Sequence, residues 1–598
     1  MTIVLLESLR PNLQEKQTFF VEQPELVLQT NKLSEVKAVL NEVQNYVKEG
    51  WTAFGFLTYE AGFAFLPNLP EPRRNYLPLL WFALTKSFQT QLPENYFENT
   101  AQPHISDLKL NLSLDSYSDA IQKIKIHIEK GDTYQVNYTM RYTGKYDGPP
   151  KNLYAWLRQQ QRVNYAAYIE TPEWSILSFS PELFFRRSGS DILMRPMKGT
   201  APRGKTPGED AQNAAVLHSS IKERSENLMI VDLLRNDLGK VCKPGSVHVI
   251  APMEIECYET LLQMTSTVQG TLNEQRDISQ ILEATFPSGS ITGAPKIRTM
   301  QIIDALERQP RGIYTGSIGW WSANECVFNV AIRTLSIEGS SGKYEMGVGS
   351  GILYEADATR EYEECKLKAQ FLTMASPPFS LFETILWEPK SGFRNLPFHL
   401  ERLERSALYF LFKFELTAIQ EALASAAKEL YSRDASTRVK LLIDETGTAE
   451  IQMNEVEPLK TPLFVSLSKS RTNSEDRFLY HKTTLRDLYE AEHTEAKAKG
   501  FFDVIFRNER NEITEGAISN VFIEKNGKLF TPPVKCGLLN GTFRRYVLDS
   551  RKWDVEERIL TIEDLKSADR IYVSNAIRGL LQVQLKNNEP QSSQRMQS

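Results

Sequence analysis

Apolar residues recur along the chain with two periods. Between Ser116 and Glu129, the residues Tyr117, Ala120, Ile121, Ile124 and Ile128 fall on one helical face, which predicts an amphipathic helix. RSENLMIVDLLRNDLGK (224–240) and ATREYEECKLKAQFLTMA (358–375) predict two more. Shorter apolar runs predict strands at 166–170, 182–188 and 191–197. GWTAFGFLTYEAGFAF (50–65) reads as packed strands and a turn, and PNLPEPRRNYLP (67–78) as a loop. From 316 to 354 the runs GSIGWWS, CVFNVAIRTLSI and KYEMGVGSGILY alternate like a hairpin or meander. SPPFS (376–380) breaks the helical pattern and LFETILW (381–387) restarts strand-like alternation, which places a domain boundary near 376. The first region is then 1–375, with an N-terminal part (1–115) and a main part (116–375), and the second is 376–586. The polar tail 587–598 is expected to fray.

The 598 residues suffice for several folding units, and 41% hydrophobic content fills sizeable cores. A net charge of -5 argues against a nucleic-acid partner, whose phosphates need a basic face. No run approaches the ~18 apolar residues of a membrane helix. The start of the chain lacks the basic region of a secretion signal, so a cytoplasmic location is expected. The five cysteines are scattered, which suggests neither a disulfide framework nor a zinc site.

Two acidic pairs sit at i,i+3 spacing, Glu223 with Glu226 and Glu361 with Glu364, so each pair shares a helix face. Oxygen ligands from two helices suit Mg²⁺, although such pairs are more often solvated surface. GSITGAPK (289–296) is a Gly-rich turn into a helix, able to hold an anion on backbone N–H groups beside Lys296 or to be a plain structural turn. Arg333, inside the apolar run VAIRTL, calls for an anionic partner. Lys198 lies in RPMKGTAPRG (195–204); a lysine there is usually solvent-exposed, but its amine becomes a nucleophile if its pKa is lowered.

Taken in order, SPELF (180–184), RPMKGTAPRG, SENLMIVDLLRNDLG (225–239), GSITGAPKIRTMQIID, VAIRTL and GVGSGILYEADATREYEE (347–364) resemble the chorismate-utilising enzymes over about residues 115–375, with weaker likeness at LLES (5–8) and around Tyr59 and Glu60. The resemblance implies an α/β (α+β) sandwich of antiparallel sheets flanked by helices. It implies Mg²⁺ on Glu226 and Glu364 with Glu223 and Glu361 in support. Ser290, Lys296, Arg333, Gly349 and Gly351 would hold chorismate, and Glu182 would be the general acid/base. Within the family, aminodeoxychorismate synthases carry lysine where anthranilate synthases carry alanine, and this chain has Lys198. Gln263 stands where anthranilate and salicylate synthases have histidine. Amination at ring carbon 4 is the activity implied, with ammonia from a glutamine amidotransferase subunit; an anthranilate-type first region is the alternative. Relatives bind tryptophan near the LLES segment, with Ser8 as the contact expected here.

The second region resembles the fold-type IV pyridoxal-phosphate enzymes over about 379–585, through FSLFETILW, HLERL, HKTTLRDLY, ITEGAISNVFIE, CGLLNGTFRRYVL and VSNAIRG. This implies two α/β lobes with pyridoxal 5'-phosphate between them. Lys482 would bond the cofactor covalently and Glu515 would pair with its pyridine nitrogen. Arg402, Gly541–Thr542 and Ser574–Asn575 would grip its phosphate. Fold-type IV enzymes often form dimers, so a homodimer through this region is a further expectation. Its fusion to a chorismate aminase favours a lyase that releases pyruvate and 4-aminobenzoate. An amino-acid aminotransferase, or a degenerate domain that only stabilises the chain, remains an alternative.

Overall fold

The computed structural model describes all residues except 11–16, 98–102, 104, 274–276, 373–376, 432–433 and 587–598. The polar tail expected to fray, and the residue at the expected boundary, lie outside the described residues. The chain divides into two compact units: Met1–Pro202 with Asn213–Ser376, and Arg203–Gln212 with Pro377–Ser598.

In the first unit, a nine-stranded and a ten-stranded sheet are antiparallel throughout. They pack face to face through Val4, Leu6, Ala167, Ile169 and Ile176 of one and Phe54, Phe56, Ile318, Trp320 and Val327 of the other. Helices Leu114–Glu129, Pro150–Gln160 and Ala358–Ala369 cover the outer face of the nine-stranded sheet. Helices Val36–Lys48, Ile221–Gly239 and Ile278–Thr285 cover the other. The architecture is a four-layer sandwich, as the sequence resemblance implies. Residues 1–115 do not stand apart: Ile3–Glu7 joins the nine-stranded sheet and Thr52–Leu57 the ten-stranded one.

The helices form where side-chain caps and apolar stripes agree. Ser113 accepts from Ser116 N to start Leu114–Glu129, which buries Tyr117, Ala120, Ile121 and Ile124. Ser220 and Asp357 cap Ile221–Gly239 and Ala358–Ala369 in the same way. The latter ends before the predicted residue 375, because the chain tightens into a 3₁₀ turn at Gln370–Leu372 that turns Phe371 and Leu372 into the core. Of the strands and turn expected in 50–65, the structure has one strand, Thr52–Leu57, and the 3₁₀ turn Tyr59–Ala64. Two other expectations change. The 316–354 stretch is two hairpins in different sheets, Ser317–Trp321 with Glu325–Asn329 and Thr334–Glu338 with Lys343–Ile352. The 191–197 strand stops at Arg195, and Met197–Pro202 forms another that pairs with Leu261–Thr271.

In the second unit, Leu381–Glu388, Thr437–Ile443 and Ala449–Glu455 lie in a four-stranded sheet, with Leu396–Tyr409 and Leu416–Leu430 packed on it. An eight-stranded mixed sheet carries Ile513–Gly516, Asn520–Lys525 and Arg570–Asn575. Among the described residues, no helix is long and apolar enough to cross a membrane.

Candidate active sites

The first site forms around the strand Met197–Pro202. Its register against Leu261–Thr271 shifts between Met197 and Thr200, and Gly199 takes φ +91°, open to glycine at little cost. That kink turns Lys198 inward: a β-carbon on Gly351 would stand 3.2 Å from Lys198 Nζ. Gln263 holds the kink from the next strand, donating to Gly199 O (2.9 Å) and accepting from Thr200 Oγ1 (3.2 Å). Burial lowers the Lys198 pKa, opposed by the charges of Glu226 and Glu182. Glu182 is 3% exposed and accepts from Ser290 Oγ at 2.8 Å. Burial pushes its carboxyl up to about 7 against the pull of Ser290 and Lys198.

Glu223 and Glu226 come from Ile221–Gly239, and Glu361 and Glu364 from Ala358–Ala369. Burial raises the pKa of Glu223, Glu226 and Glu361, and repulsion from neighbouring carboxylates adds to it. Glu364 goes the other way: burial raises it, but Lys368 at 2.7 Å and Lys198 outweigh that and lower it. Among the described residues no three carboxylate, imidazole or thiol groups converge as a ready metal cluster. Two facing pairs of crowded carboxylates nonetheless fit Mg²⁺, which takes one or two protein carboxylates and completes its shell with water and substrate oxygens.

Two of the expected substrate-holding side chains have protein partners in the structure. Lys296 Nζ bonds Asp237 Oδ2 (2.9 Å) and Thr285 O (2.7 Å), clamping two helices of the outer layer. Arg333 lies in the crossover between sheets at φ +50°, not within a strand, and donates to Gln161 Oε1 at 2.9 Å. Gly349 and Gly351 line the strand opposite Thr139 and Asn137. Sequence reading missed Lys368, which donates to Gly349 O (2.9 Å), and Gln135. The Gln135 amide is 1% exposed, has no hydrogen-bond partner among the described residues, and puts Nε2 2.6 Å from where a Gly351 β-carbon would stand. Lys368 is signalled by its i+4 spacing from Glu364; nothing in the sequence pattern signals Gln135. At the N-terminal segment, the Ser8 hydroxyl is buried without a partner among the described residues.

The second site is built around Lys482. The residue follows the 3₁₀ turn Arg477–Tyr480, and its carbonyl accepts from Phe382 N at 3.0 Å. Its amine lies 4.6 Å over the Phe382 ring. Burial, with Arg486 and Arg402 nearby, lowers its pKa to about 7. Glu515 accepts from Asn520 Nδ2 (3.2 Å) and Tyr489 OH (3.3 Å), and burial pushes it up to about 7. Arg402 bonds both oxygens of buried Glu383 (2.8 and 2.6 Å) and donates to Asn540 O (3.1 Å). His399 bridges Glu383 (2.6 Å) to Thr542 Oγ1 (3.2 Å). Burial raises the Glu383 carboxyl, but Arg402 and His399 outweigh it and bring it down to about 2. Gly541 caps helix Thr542–Asp549, where a β-carbon would collide with Asn520 Oδ1 at 2.0 Å. Ser574 Oγ is buried without a partner among the described residues, and Asn575 Oδ1 accepts from Ile577 N and Arg578 N. A helix start, an orphaned hydroxyl and an arginine fit a phosphate. Glu383, His399, Arg486, Tyr489 and Asn520 are the residues that motif reading did not single out.

The first unit thus combines a four-layer sandwich with an inward lysine, two acidic helices and a glycine-lined strand. The sequence model of the chorismate binding enzyme family matches residues 8–374, and the chain belongs to that family. Residues 380–585 match amino-transferase class IV. Over 256 residues, 43% of this chain and 54% of the relative, the sequence is 44% identical to aminodeoxychorismate synthase component 1 of Bacillus subtilis. It is 40% identical over 261 residues to an anthranilate synthase component 1 of Haloarcula marismortui, covering 44% of this chain and 52% of that one. The chain thus spans about half the length of these curated relatives. The solved anthranilate synthase component I of Streptococcus pneumoniae shares the fold, with a TM-score of 0.50 and 23% identity over 62% of this chain and 92% of that chain.

Proposed function

We propose that the chain makes 4-aminobenzoate from chorismate in two stages, amination in the first unit and elimination of pyruvate in the second. The observation that carries the reading is the Lys198 amine, turned inward beside Gly351 and among Glu182, Glu226 and Glu364. An anthranilate-type site has alanine at this position and no nucleophile there.

In the first stage the neutral Lys198 amine attacks ring carbon 2, the ring double bonds shift, and the carbon 4 hydroxyl leaves with a proton from Glu182 as water. Ammonia then adds at carbon 4 and expels the lysine amine, and the surplus ammonium proton returns to Glu182. One difficult displacement becomes two allylic ones. Glu182, protonated up to about pH 7, suits the acid role. Glu226 and Glu364, with Glu223 and Glu361, would hold Mg²⁺, which supplies hard positive charge for the substrate's carboxylate oxygens. Ammonia comes from a glutamine amidotransferase subunit or from ammonium in solution.

In the second stage Lys482 carries the proton from the amino-bearing ring carbon to the departing enolpyruvyl methylene. Its lowered pKa leaves much of the amine neutral near pH 7. Glu515 holds the pyridine nitrogen, and Arg402, Gly541–Thr542 and Ser574–Asn575 hold the phosphate. Pyridoxal 5'-phosphate, when bound, supplies the electron sink. The class IV match also supports an amino-acid aminotransferase in this unit. In the first unit, the buried and unpartnered Ser8 hydroxyl supports a tryptophan contact.

The test is purified protein with chorismate, ammonium and Mg²⁺, products being separated by chromatography. We expect 4-aminobenzoate and pyruvate; 2-aminobenzoate would refute the amination reading. Amino transfer to 2-oxo acids without pyruvate release would replace the lyase with an aminotransferase.

A further inference from the structure

The second unit is discontinuous: Arg203–Gln212 folds with Pro377–Ser598. This segment follows the strand Met197–Pro202 in the chain, and the match to amino-transferase class IV, residues 380–585, does not include it. Its turn is closed by its own groups. Arg203 Nε donates to both oxygens of Asp210 (2.8 Å each), and Gly204 N donates to Asp210 Oδ1 (2.8 Å). The close approach at Gly204 leaves no room for a side chain, since a β-carbon there would stand 2.3 Å from Asp210 N.

Tyr409 grips the closed turn. Arg203 donates to Tyr409 O (2.8 Å) and lays its guanidinium 4.4 Å over the Tyr409 ring, while Tyr409 OH donates to Gly204 O (2.7 Å). The Arg203 side chain is 5% exposed, so these contacts are made away from water, where they are strongest. Tyr409 also stacks on His481, with ring centroids 4.3 Å apart.

His481 is the residue before Lys482, and it is 2% exposed. Its Nδ1 meets Ser406 Oγ (2.9 Å) and its Nε2 meets Lys205 O (3.3 Å). Burial brings its pKa down to about 3 against the pull of the Lys205 carbonyl, so the ring is neutral and carries one N–H. A carbonyl can only accept, so that proton sits on Nε2, and Nδ1 accepts from the Ser406 hydroxyl. The segment thus fixes the tautomer and the orientation of the ring beside Lys482. Further along, Lys482 O accepts from Phe382 N (3.0 Å) and Thr484 N donates to Ser380 O (2.9 Å). These bonds set residues 481–484 against the chain that carries Phe382, whose ring lies 4.6 Å from the Lys482 amine.

Resting on the second-stage reading, we propose that Arg203–Gln212 is a working part of the second site: held by Tyr409, it seats Lys482 through the His481 ring. Tyr409 and the Lys205 carbonyl are positioning groups, acting on Lys482 through His481.

The test uses the full chain and two readouts, hydrogen exchange without cofactor and absorbance titration with pyridoxal 5'-phosphate. Arg203→Ala opens the turn, and Tyr409→Phe removes only the hydroxyl on Gly204 O. The Phe382 and Thr484 amides should exchange about tenfold faster in Arg203→Ala and severalfold faster in Tyr409→Phe, and the Kd for pyridoxal 5'-phosphate should rise by the same factors, the loss of a charge-assisted and of a neutral hydrogen bond. Exchange in the strand Asn520–Lys525 should hold, as should amination of chorismate by Tyr409→Phe. Lys205→Ala breaks only the surface ion pair with Glu475 (2.7 Å) and keeps the carbonyl, so it should behave as wild type. Unchanged exchange at Phe382 and Thr484 in both variants, equally faster exchange in Asn520–Lys525, or an effect of Lys205→Ala as large as that of Arg203→Ala would overturn the role. Wild-type protein that takes up no pyridoxal 5'-phosphate would instead refute the second-stage reading itself, and the role with it.

Discussion

At the residue scale, the chemistry depends on burial setting protonation. Glu182 moves from 4.5 to about 7. In the proposed amination the acid form assists departure of the hydroxyl, so amination kcat/KM should fall about tenfold per pH unit above about pH 7. A pH–rate profile checks this, and Glu182→Gln should lose most activity and that descending limb. Stability follows the same sign. A carboxyl whose folded pKa is raised contributes stability that is complete below 4.5 and is lost as pH rises through about 7. Urea midpoints of wild type should therefore decline from pH 5 to 8 more steeply than those of Glu182→Gln. In the second unit, Ser574→Ala removes a buried, unpartnered hydroxyl and so should cost little folding stability. It should weaken pyridoxal-phosphate binding about tenfold, one charge-assisted hydrogen bond, as measured by cofactor titration.

At the scale of elements, both sites hang on places where a strand or helix end must be bare. Gly351 lies in Lys343–Ile352, and its missing β-carbon leaves room for the Gln135 amide (2.6 Å) and Lys198 Nζ (3.2 Å). Gly351→Ala should fold, because the obstructing atoms are side-chain tips, but lose amination sharply; circular dichroism and turnover separate the two effects. Gly541→Ala is harsher, with a β-carbon 2.0 Å from Asn520 Oδ1. Asn520 bonds both Glu515 (3.2 Å) and Leu539 O (2.8 Å), so its displacement disturbs the site's acid as well as the helix start. We expect lost cofactor binding and a lower thermal midpoint, read by absorbance and calorimetry.

At the scale of the whole molecule, the proposed function puts two chemistries on one chain. Lys198→Ala should stop consumption of chorismate, and Lys482→Ala should let the amino intermediate accumulate. Mixing the two variants should restore 4-aminobenzoate if the intermediate is released into solution, which chromatography of the mixture would show. Much of this was legible in the residue pattern. The order of motifs specified both families, and helical periodicity placed Glu223, Glu226, Glu361 and Glu364 on shared faces, because period is a local property that a strand or helix cannot hide. Partners across long sequence distance were not legible. The partners of Lys296 and Arg333, Asp237 and Gln161, lie 59 and 172 residues away in the chain. Gln135 and the Glu383–His399–Arg402 network gained meaning only when burial removed water from around them. The sequence by itself determined which groups are present and which side of an element they share. Only the tertiary structure decided which of them lose their solvent and which find a partner, since desolvation and pairing belong to the packed fold and not to any segment of it.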